Sequence, residues 1–208
     1  MPLKISEPFN IFLDHLTAQE LHHEKGNVRY AQTQDDNLRE EYSKIYNDVE
    51  PDIPWARIAL GQSPDAINLW IGNSSSVTAL HRDNYENIYC QVSGHKHFVL
   101  LSPIEAPCVN ENIVPCAAYQ SPSSASKHEL ANTASRSNSE NVDVDITSGL
   151  SCGNQQLVLS PEHPPRAVPF AIWDPDKPEQ DQTPFSCLAR PSRVTLNPGD
   201  LLYLPALW

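Results

Sequence analysis

The spacing of apolar positions predicts helices in the first third of the chain. Residues 36–49 carry large apolar side chains at spacings of 4, 3 and 4, which places them on one helical face: Leu38, Tyr42, Ile45 and Val49. Pro54 then opens a run that predicts a second, short helix over residues 54–60, because proline is well tolerated in the first helical turn.

From residue 66 onward the pattern changes to short runs of β-forming residues separated by turn residues. These runs lie at 66–71, 77–80, 87–92 and 96–101. The third and fourth runs flank Gly94, and we predict that they form a hairpin, because glycine readily adopts the positive φ that tight turns use. Further strands are predicted at 168–173, 192–197 and 201–204.

The resulting domain organisation is an N-terminal helical segment over residues 1–60 and a β domain over residues 61–208. The β domain is interrupted at about 105–165 by a stretch rich in serine and proline, in which large apolar residues are scarce. Such a composition buries too little apolar surface to offset the entropy of ordering, so we predict a disordered insert.

Composition narrows the possible partners. The 208 residues contain 14 Lys plus Arg against 26 Asp plus Glu, a formal charge of -12, which argues against binding to nucleic acid or an anionic membrane. No apolar run approaches the roughly 20 residues that span a bilayer, and the N-terminus lacks the pattern of a secretory signal.

The five cysteines are odd in number and contain no C-x-x-C pair, so we expect reduced thiols in the cytoplasm or the nucleus.

Candidate chemistry lies in the segment Val77-Thr78-Ala79-Leu80-His81-Arg82-Asp83. On a strand, His81 and Asp83 would point to the same face, since they are two residues apart. An imidazole and a carboxylate that converge in this way make up two thirds of the 2-His-1-carboxylate triad that holds Fe(II). Taken alone, the tripeptide is weak evidence for a metal site, and a surface histidine beside a solvated aspartate is the more common interpretation.

The longer segment HRDNYENIYCQVSGHKHF, together with VEPDIPWARIALGQSPDAINLW before it and VTLNPGDLLYLPALW at the end, resembles the JmjC-domain oxygenases, and among them the lysyl hydroxylases. The resemblance implies a cupin-like double-stranded β-helix, or jelly roll, preceded by helices. It also implies Fe(II) and 2-oxoglutarate as cofactors. The implied reaction hydroxylates a C–H bond, with a lysine side chain of a protein substrate as the expected target.

The resemblance assigns roles to individual residues. His81 and Asp83 would be catalytic metal ligands, and Lys96 would pair with the distal carboxylate of 2-oxoglutarate. Thr78 and Asn87 match positions that hydrogen-bond this cosubstrate, although turn capping is an equal alternative for both. Tyr30 matches a tyrosine that reaches the same carboxylate, with ordinary core packing as the alternative.

The chain also departs from the family pattern. In the relatives a distal histidine, the third ligand, follows the motif that here ends at Trp208, so we expect a jelly roll incomplete at its C-terminus and an impaired oxygenase. The alternatives are a non-catalytic cupin-like module that binds 2-oxoglutarate or protein, and a JmjC histone-lysine demethylase. The expected partner is a lysine-bearing protein, for instance a GTP-binding protein, and a homodimer is possible on the family pattern.

Overall fold

The computed structural model describes residues 2–120, 141–147 and 157–208, the middle range by its backbone alone. The described residues form two α-helices, α1 (Phe9–His22) and α2 (Pro54–Leu60). The strands of the described residues are, in chain order, β1 (Leu3–Pro8), β2 (Val28–Tyr30), β3 (Asn87–Cys90), β4 (Lys96–Leu100), β5 (Glu111–Pro115), β6 (Ala117–Gln120), β7 (Asn141–Thr147), β8 (Val158–Pro161), β9 (Ala167–Ala171), β10 (Ser192–Leu196) and β11 (Leu201–Leu204). Short 3₁₀ turns lie at Tyr46–Asp48, Pro103–Cys108 and Ser186–Leu188.

The described chain divides into two compact units. The first unit comprises residues 1–77 and 117–162, and the second comprises residues 78–116 and 163–208. All strand pairs in both units are antiparallel, so the mainly β character with N-terminal helices is confirmed. The proposed boundary between residues 60 and 61 stays a prediction, and much of the predicted insert lies outside the described residues.

The core of the first unit forms where α1 packs on the segments that follow it. Its members are apolar and at least nine-tenths buried: Phe12, Leu16, Ala31, Leu38 and Tyr42. The sheet of this unit has the order β1-β7-β2, and β6 pairs with β8 separately. Strands therefore accompany the helices within residues 1–60, where helical structure was predicted.

The predicted helix over residues 36–49 is wrong. The segment instead forms turns that end in one 3₁₀ turn, in which Asp48 N–H donates to Ile45 C=O over 3.0 Å. Side chains explain the difference, since Asp36 and Asn37 bond backbone groups of a neighbouring segment: Ile67 N–H donates to Asp36 Oδ1 over 2.8 Å. Only the first half of the apolar face is buried, because Ile45 and Val49 remain more than two-fifths exposed.

The predicted strands at 66–71 and 77–80 are also absent. Leu69 pairs in both directions with the side chain of Asn37, as its N–H donates to Asn37 Oδ1 over 2.7 Å and its C=O accepts from Asn37 Nδ2 over 3.0 Å. Asn37, almost fully buried, thus takes the place of a neighbouring strand. A single bridge between Ala31 and Ile71 is the β pairing that remains in this segment.

In the second unit the positions of the strands agree well with the prediction, but the pairing of these strands does not. The strands β3, β4, β10 and β11 all form close to their predicted positions, and Gly94 adopts a φ of 69°. However, β3 pairs with β11 and β4 pairs with β10, so the predicted β3–β4 hairpin is wrong. The chain crosses from one two-stranded sheet to another at Gln91, whose backbone bonds Gly199 and Asp200 over 2.8 and 3.0 Å.

Candidate active site

An inner face of the second unit is defined by the side chains of Asn87 and Tyr89 on β3 and of Lys96 and Phe98 on β4. The rings of Tyr89 and Phe98 meet edge to face with 5.1 Å between their centroids, so these two residues point toward each other from different sheets. Because side chains alternate along a strand, Asn87 projects on the same side as Tyr89, and Lys96 on the same side as Phe98. This shared orientation brings two predicted cosubstrate residues to one face.

Apolar residues from the partner strands complete this surface. Leu202 and Leu204 lie opposite Tyr89 and Asn87, while Leu196 lies opposite Lys96. These leucines are the better buried positions of their strands, and Leu196 is 4% exposed. The surroundings are therefore apolar, apart from the polar ends of Asn87, Tyr89 and Lys96.

Lys96 is the cation of this inner face. Its Nζ lies 6.0 Å from the centroid of the Phe98 ring, and burial lowers its pKa because the charged ammonium loses hydration. Burial also raises the pKa of Tyr89, which favours its neutral phenol. A partly desolvated ammonium on an apolar face is the arrangement that binds a carboxylate.

His97 and His95 do not share the position of Lys96. His97 is exposed on the opposite side of β4, where its Nδ1 lies 2.8 Å from Thr195 Oγ1, and His95 is exposed before the strand begins. The strand alternation expected from the sequence thus holds for β4, and these two histidines are separate from the inner face.

His81 and Asp83 lie in an irregular segment that precedes β3. The strand that was predicted to carry them is absent, yet the two side chains still converge, with 3.8 Å between His81 Nε2 and Asp83 Oδ2. Both side chains are more than half exposed. Convergence therefore arises from the loop conformation rather than from strand alternation.

A backbone carbonyl fixes the orientation of His81. Its Nδ1 lies 2.8 Å from Ala79 C=O, and because a carbonyl can only accept, Nδ1 carries the proton. In the neutral imidazole the lone pair is then on Nε2, the atom that faces Asp83. Metal-bound histidines are commonly oriented by this kind of hydrogen bond on the other ring nitrogen.

His81 and Asp83 lie close enough for a small side-chain adjustment to bring both onto one metal ion. Two ligand atoms about 2.1 Å from one ion are about 3.0 Å apart when they bind at right angles and at most about 4.2 Å apart, and the observed separation is 3.8 Å. One imidazole nitrogen and one carboxylate oxygen also match the donor types that non-haem Fe(II) uses. A group of three His, Cys, Asp or Glu side chains able to hold a metal is not found among residues 2–120 and 157–208.

Three contacts hold the loop that carries His81 and Asp83. Leu207 N–H donates to Asp83 C=O over 2.6 Å, Tyr203 Oη donates to the Glu86 carboxylate, and Arg82 bonds Glu111 on β5 over 3.1 Å. The sequence pattern predicted none of these three contacts. The pairing of β11 with β3 accounts for the first two, because it places the end of β11 and the residues that follow it along residues 83–86.

The remaining predicted residues have separate positions. Thr78 is exposed in the irregular segment before His81. Asn87 donates from Nδ2 to Tyr85 C=O over 3.3 Å, a local turn contact of the type given as its alternative role. Tyr30 belongs to the first unit, where its ring lies against Gly72, and its position relative to the other predicted site residues stays a prediction.

The second unit thus combines antiparallel β structure with a converging His81–Asp83 pair and an inward-facing Lys96, an arrangement compatible with a cupin-like fold. Comparison with known proteins agrees, because residues 2–208 match the family described as "Cupin-like domain". The chain belongs to this family, and the jelly-roll fold class and the resemblance to JmjC proteins are confirmed.

Several curated proteins are similar along most of the chain. The human "Bifunctional peptidase and (3S)-lysyl hydroxylase JMJD7" is 34% identical over 208 residues, which cover 100% of this chain and 55% of that protein. "Lysine-specific demethylase JMJ32" of Arabidopsis thaliana is 36% identical over 188 residues, 87% of this chain and 46% of the relative. "JmjC domain-containing protein E" of Dictyostelium discoideum is 29% identical over 212 residues, 100% of this chain and 54% of the relative. The chain thus spans about half the length of these relatives.

Proposed function

We propose that this chain is the cupin-like part of an Fe(II)- and 2-oxoglutarate-dependent protein hydroxylase that acts on a lysine side chain. The observation that carries the proposal is the convergence of His81 Nε2 and Asp83 Oδ2 at 3.8 Å. The lysyl hydroxylase among the similar proteins supports the choice of substrate.

The described residues divide into two roles. His81 and Asp83 would hold Fe(II), which together with 2-oxoglutarate and oxygen supplies the oxidising chemistry. Lys96 would pair with the distal carboxylate of 2-oxoglutarate, while Asn87, Thr78 and Tyr30 would donate hydrogen bonds to this cosubstrate. The apolar surroundings of Lys96 would strengthen that pairing by excluding water.

A third ligand is expected from the β11 side of the site. In the family the distal histidine follows the motif that here reads Leu204-Pro205-Ala206-Leu207-Trp208, and Leu207 is already bonded to the backbone of Asp83. Residues 1–208 include two of these three ligand positions, so a polypeptide limited to these residues is expected to hold iron weakly and to turn over slowly. A small imidazole molecule could occupy the missing position.

The partner in this proposal is a protein with an accessible lysine. The formal charge of -12 favours encounter with a basic surface, because opposite charges accelerate association. A GTP-binding protein, a homodimeric assembly, and a cytoplasmic or nuclear location are further elements of the proposal. Among the described residues, no helix is long and apolar enough to cross a membrane.

Succinate formation tests the proposal. The 208-residue chain with Fe(II), 2-oxoglutarate and a lysine peptide should release succinate slowly, and added imidazole should raise the rate. His81→Ala should abolish release, whereas the matched control His95→Ala should leave it unchanged, since His95 is exposed away from the inner face. Unchanged release in His81→Ala would refute the ligand assignment. Folded protein that binds 2-oxoglutarate and releases no succinate, even with imidazole, would instead indicate the non-catalytic module.

A second candidate is lysine demethylation, which the similarity to the Arabidopsis demethylase favours. The two reactions differ in their products, since hydroxylation adds one oxygen to an unmodified lysine and demethylation releases formaldehyde from a methylated one. Parallel assays with unmodified and trimethylated lysine peptides, read by mass spectrometry, distinguish them.

A further inference from the structure

Two cysteines of the second unit lie on 3₁₀ turns that face each other. Cys108 ends the turn Pro103–Cys108, and Cys187 is the middle residue of the turn Ser186–Leu188. Both are free thiols, with Cys108 5% exposed and Cys187 exposed. Neither residue has a part in the proposed reaction.

Hydrogen bonds hold the two turns against each other. Cys108 is bonded to the opposite turn through both its side chain and its backbone, because its Sγ donates to Phe185 C=O over 3.2 Å and its C=O accepts from Ser186 Oγ over 2.7 Å. Thr183 Oγ1 donates to Pro107 C=O over 2.9 Å. The residues just before Cys187 are therefore fixed beside the turn of Cys108.

A carboxylate ties the outer ends of the same segments. Glu105 accepts from Ser102 N–H over 2.8 Å and from Arg190 N–H over 2.5 Å. Cys187 folds back within its own turn, with its Sγ 3.7 Å from Pro184 C=O. Contacts on both sides thus limit how far the two thiol-bearing turns can separate.

The environment gives the two thiols different reactivity. Burial, the nearby Glu105 carboxylate and the proximity of Cys187 all raise the pKa of Cys108, so this thiol stays protonated. Cys187 is exposed and can meet a reagent from solution. An accessible thiol beside a buried one resembles the attacking and resolving pair of redox-sensitive sites.

We propose that Cys108 and Cys187 form a reversible intramolecular disulfide under oxidising conditions, with a glutathione-type disulfide as the oxidant. The Cys187 thiolate attacks the glutathione disulfide, forms a mixed disulfide and releases one glutathione thiolate. Cys108 then loses its proton and displaces the second glutathione, which leaves the Cys108–Cys187 bond. One disulfide is reduced to two thiols while two protein thiols become one disulfide, so atoms and electrons balance.

The bond would connect segments next to two paired strands. Cys108 follows β4, the strand of Lys96, and Cys187 precedes β10, which pairs with β4. Closing the loop between residues 108 and 187 restricts the unfolded chain, so the oxidised protein should resist heat better than the reduced protein. The redox state would in this way change the stability of the sheet that carries the inner-face lysine.

Mass spectrometry of the oxidised 208-residue chain tests this proposal independently of catalysis. After incubation with oxidised glutathione, we expect a loss of two hydrogen atoms and a cross-linked peptide pair containing Cys108 and Cys187. Cys108→Ser should instead accumulate one glutathione on Cys187, and the matched control Cys116→Ser should cross-link as the parent chain does.

Two results would overturn the proposal. One is a stable glutathione adduct on Cys187 of the parent chain while Cys108 remains alkylatable. The other is a cross-link that joins either cysteine to Cys90, Cys116 or Cys152 instead. Circular dichroism before and after oxidation verifies that each product is folded, so that exposure of Cys108 by unfolding is recognised.

Discussion

Replacing Lys96 by methionine separates the contribution of its charge from that of its aliphatic stem. Methionine keeps a long apolar side chain on the inner face and removes the ammonium whose pKa burial lowers. If this ammonium pairs with a carboxylate of 2-oxoglutarate, its removal forfeits a charge-assisted hydrogen bond of about 1.5–3 kcal/mol. The dissociation constant should then rise by about 10- to 150-fold, since each 1.4 kcal/mol or so is a factor of ten.

The same substitution that weakens 2-oxoglutarate binding should not lower the stability of the unliganded protein. Because the folded-state pKa of Lys96 is lowered, the unfolded chain binds more protons between that pKa and the ordinary lysine value near 10.4. Burial of the charge therefore destabilises the unliganded protein at neutral pH, and this penalty disappears as pH rises through the window. Lys96→Met should be at least as stable as the parent chain at pH 7, with an advantage that shrinks in alkaline solution.

Isothermal titration with 2-oxoglutarate and Mn(II), together with urea unfolding at several pH values, measures both effects. Lys177→Met is the matched control, because Lys177 is 63% exposed beside Asp174 and the substitution is chemically identical. Equal 2-oxoglutarate affinity in Lys96→Met and Lys177→Met would refute the pairing. A loss of stability in Lys96→Met at pH 7 would refute the desolvation argument.

Three further predictions concern packing and local electrostatics. Phe12→Ala should lower the free energy of unfolding by about 3–5 kcal/mol, because Phe12 is fully buried in the first core; a loss below about 1 kcal/mol in urea unfolding would contradict its central position. Gly72→Ala should lower the free energy of unfolding by about 1–3 kcal/mol, because an added Cβ would lie 2.6 Å from Tyr30 Cδ2. Gly26→Ala is the control and should be tolerated, because its added Cβ would lie 3.6 Å from the nearest atoms. Glu86→Gln should lower the pKa of Tyr203, because the hydrogen bond to the Glu86 carboxylate raises it. Ultraviolet titration measures this pKa, with Tyr203→Phe as the control that identifies the signal of this phenol. An unchanged pKa would mean that the bond is absent in solution.

The sequence predicted elements well where local pattern and tertiary pairing agree. The strands around residues 87–100 and 192–204 form close to their predicted positions, and α2 begins at Pro54 as its proline indicated. Prediction failed where polar side chains took over backbone hydrogen bonds. Asp36 and Asn37 bond the backbone of Ile67 and Leu69, which converted a predicted helix into turns and a predicted strand into an irregular segment.

Strand pairing was the feature that local pattern could not supply. Residues 87–100 read as a hairpin because Gly94 lies between two β-type runs, but hairpin and crossover connections can share the same turn residues. The register instead depends on Gln91, which bonds a turn more than 100 residues further along the chain. Pairing between strands so far apart in the chain cannot be predicted from a short segment of sequence.

The pairing of β3 with β11 also explains why the loop of His81 and Asp83 is held in place although no regular strand carries these two residues. The antiparallel register of β3 with β11 returns the chain along the loop before β3, where Leu207 bonds Asp83 and Tyr203 bonds Glu86. The same two-sheet arrangement turns Asn87 and Lys96 toward one inner face, because β3 and β4 belong to different sheets that meet through Tyr89 and Phe98. A β3–β4 hairpin would have placed these strands side by side in one sheet, without opposing faces between them. The crossover, rather than a hairpin, is thus the feature that turns Asn87 and Lys96 toward the same inner face.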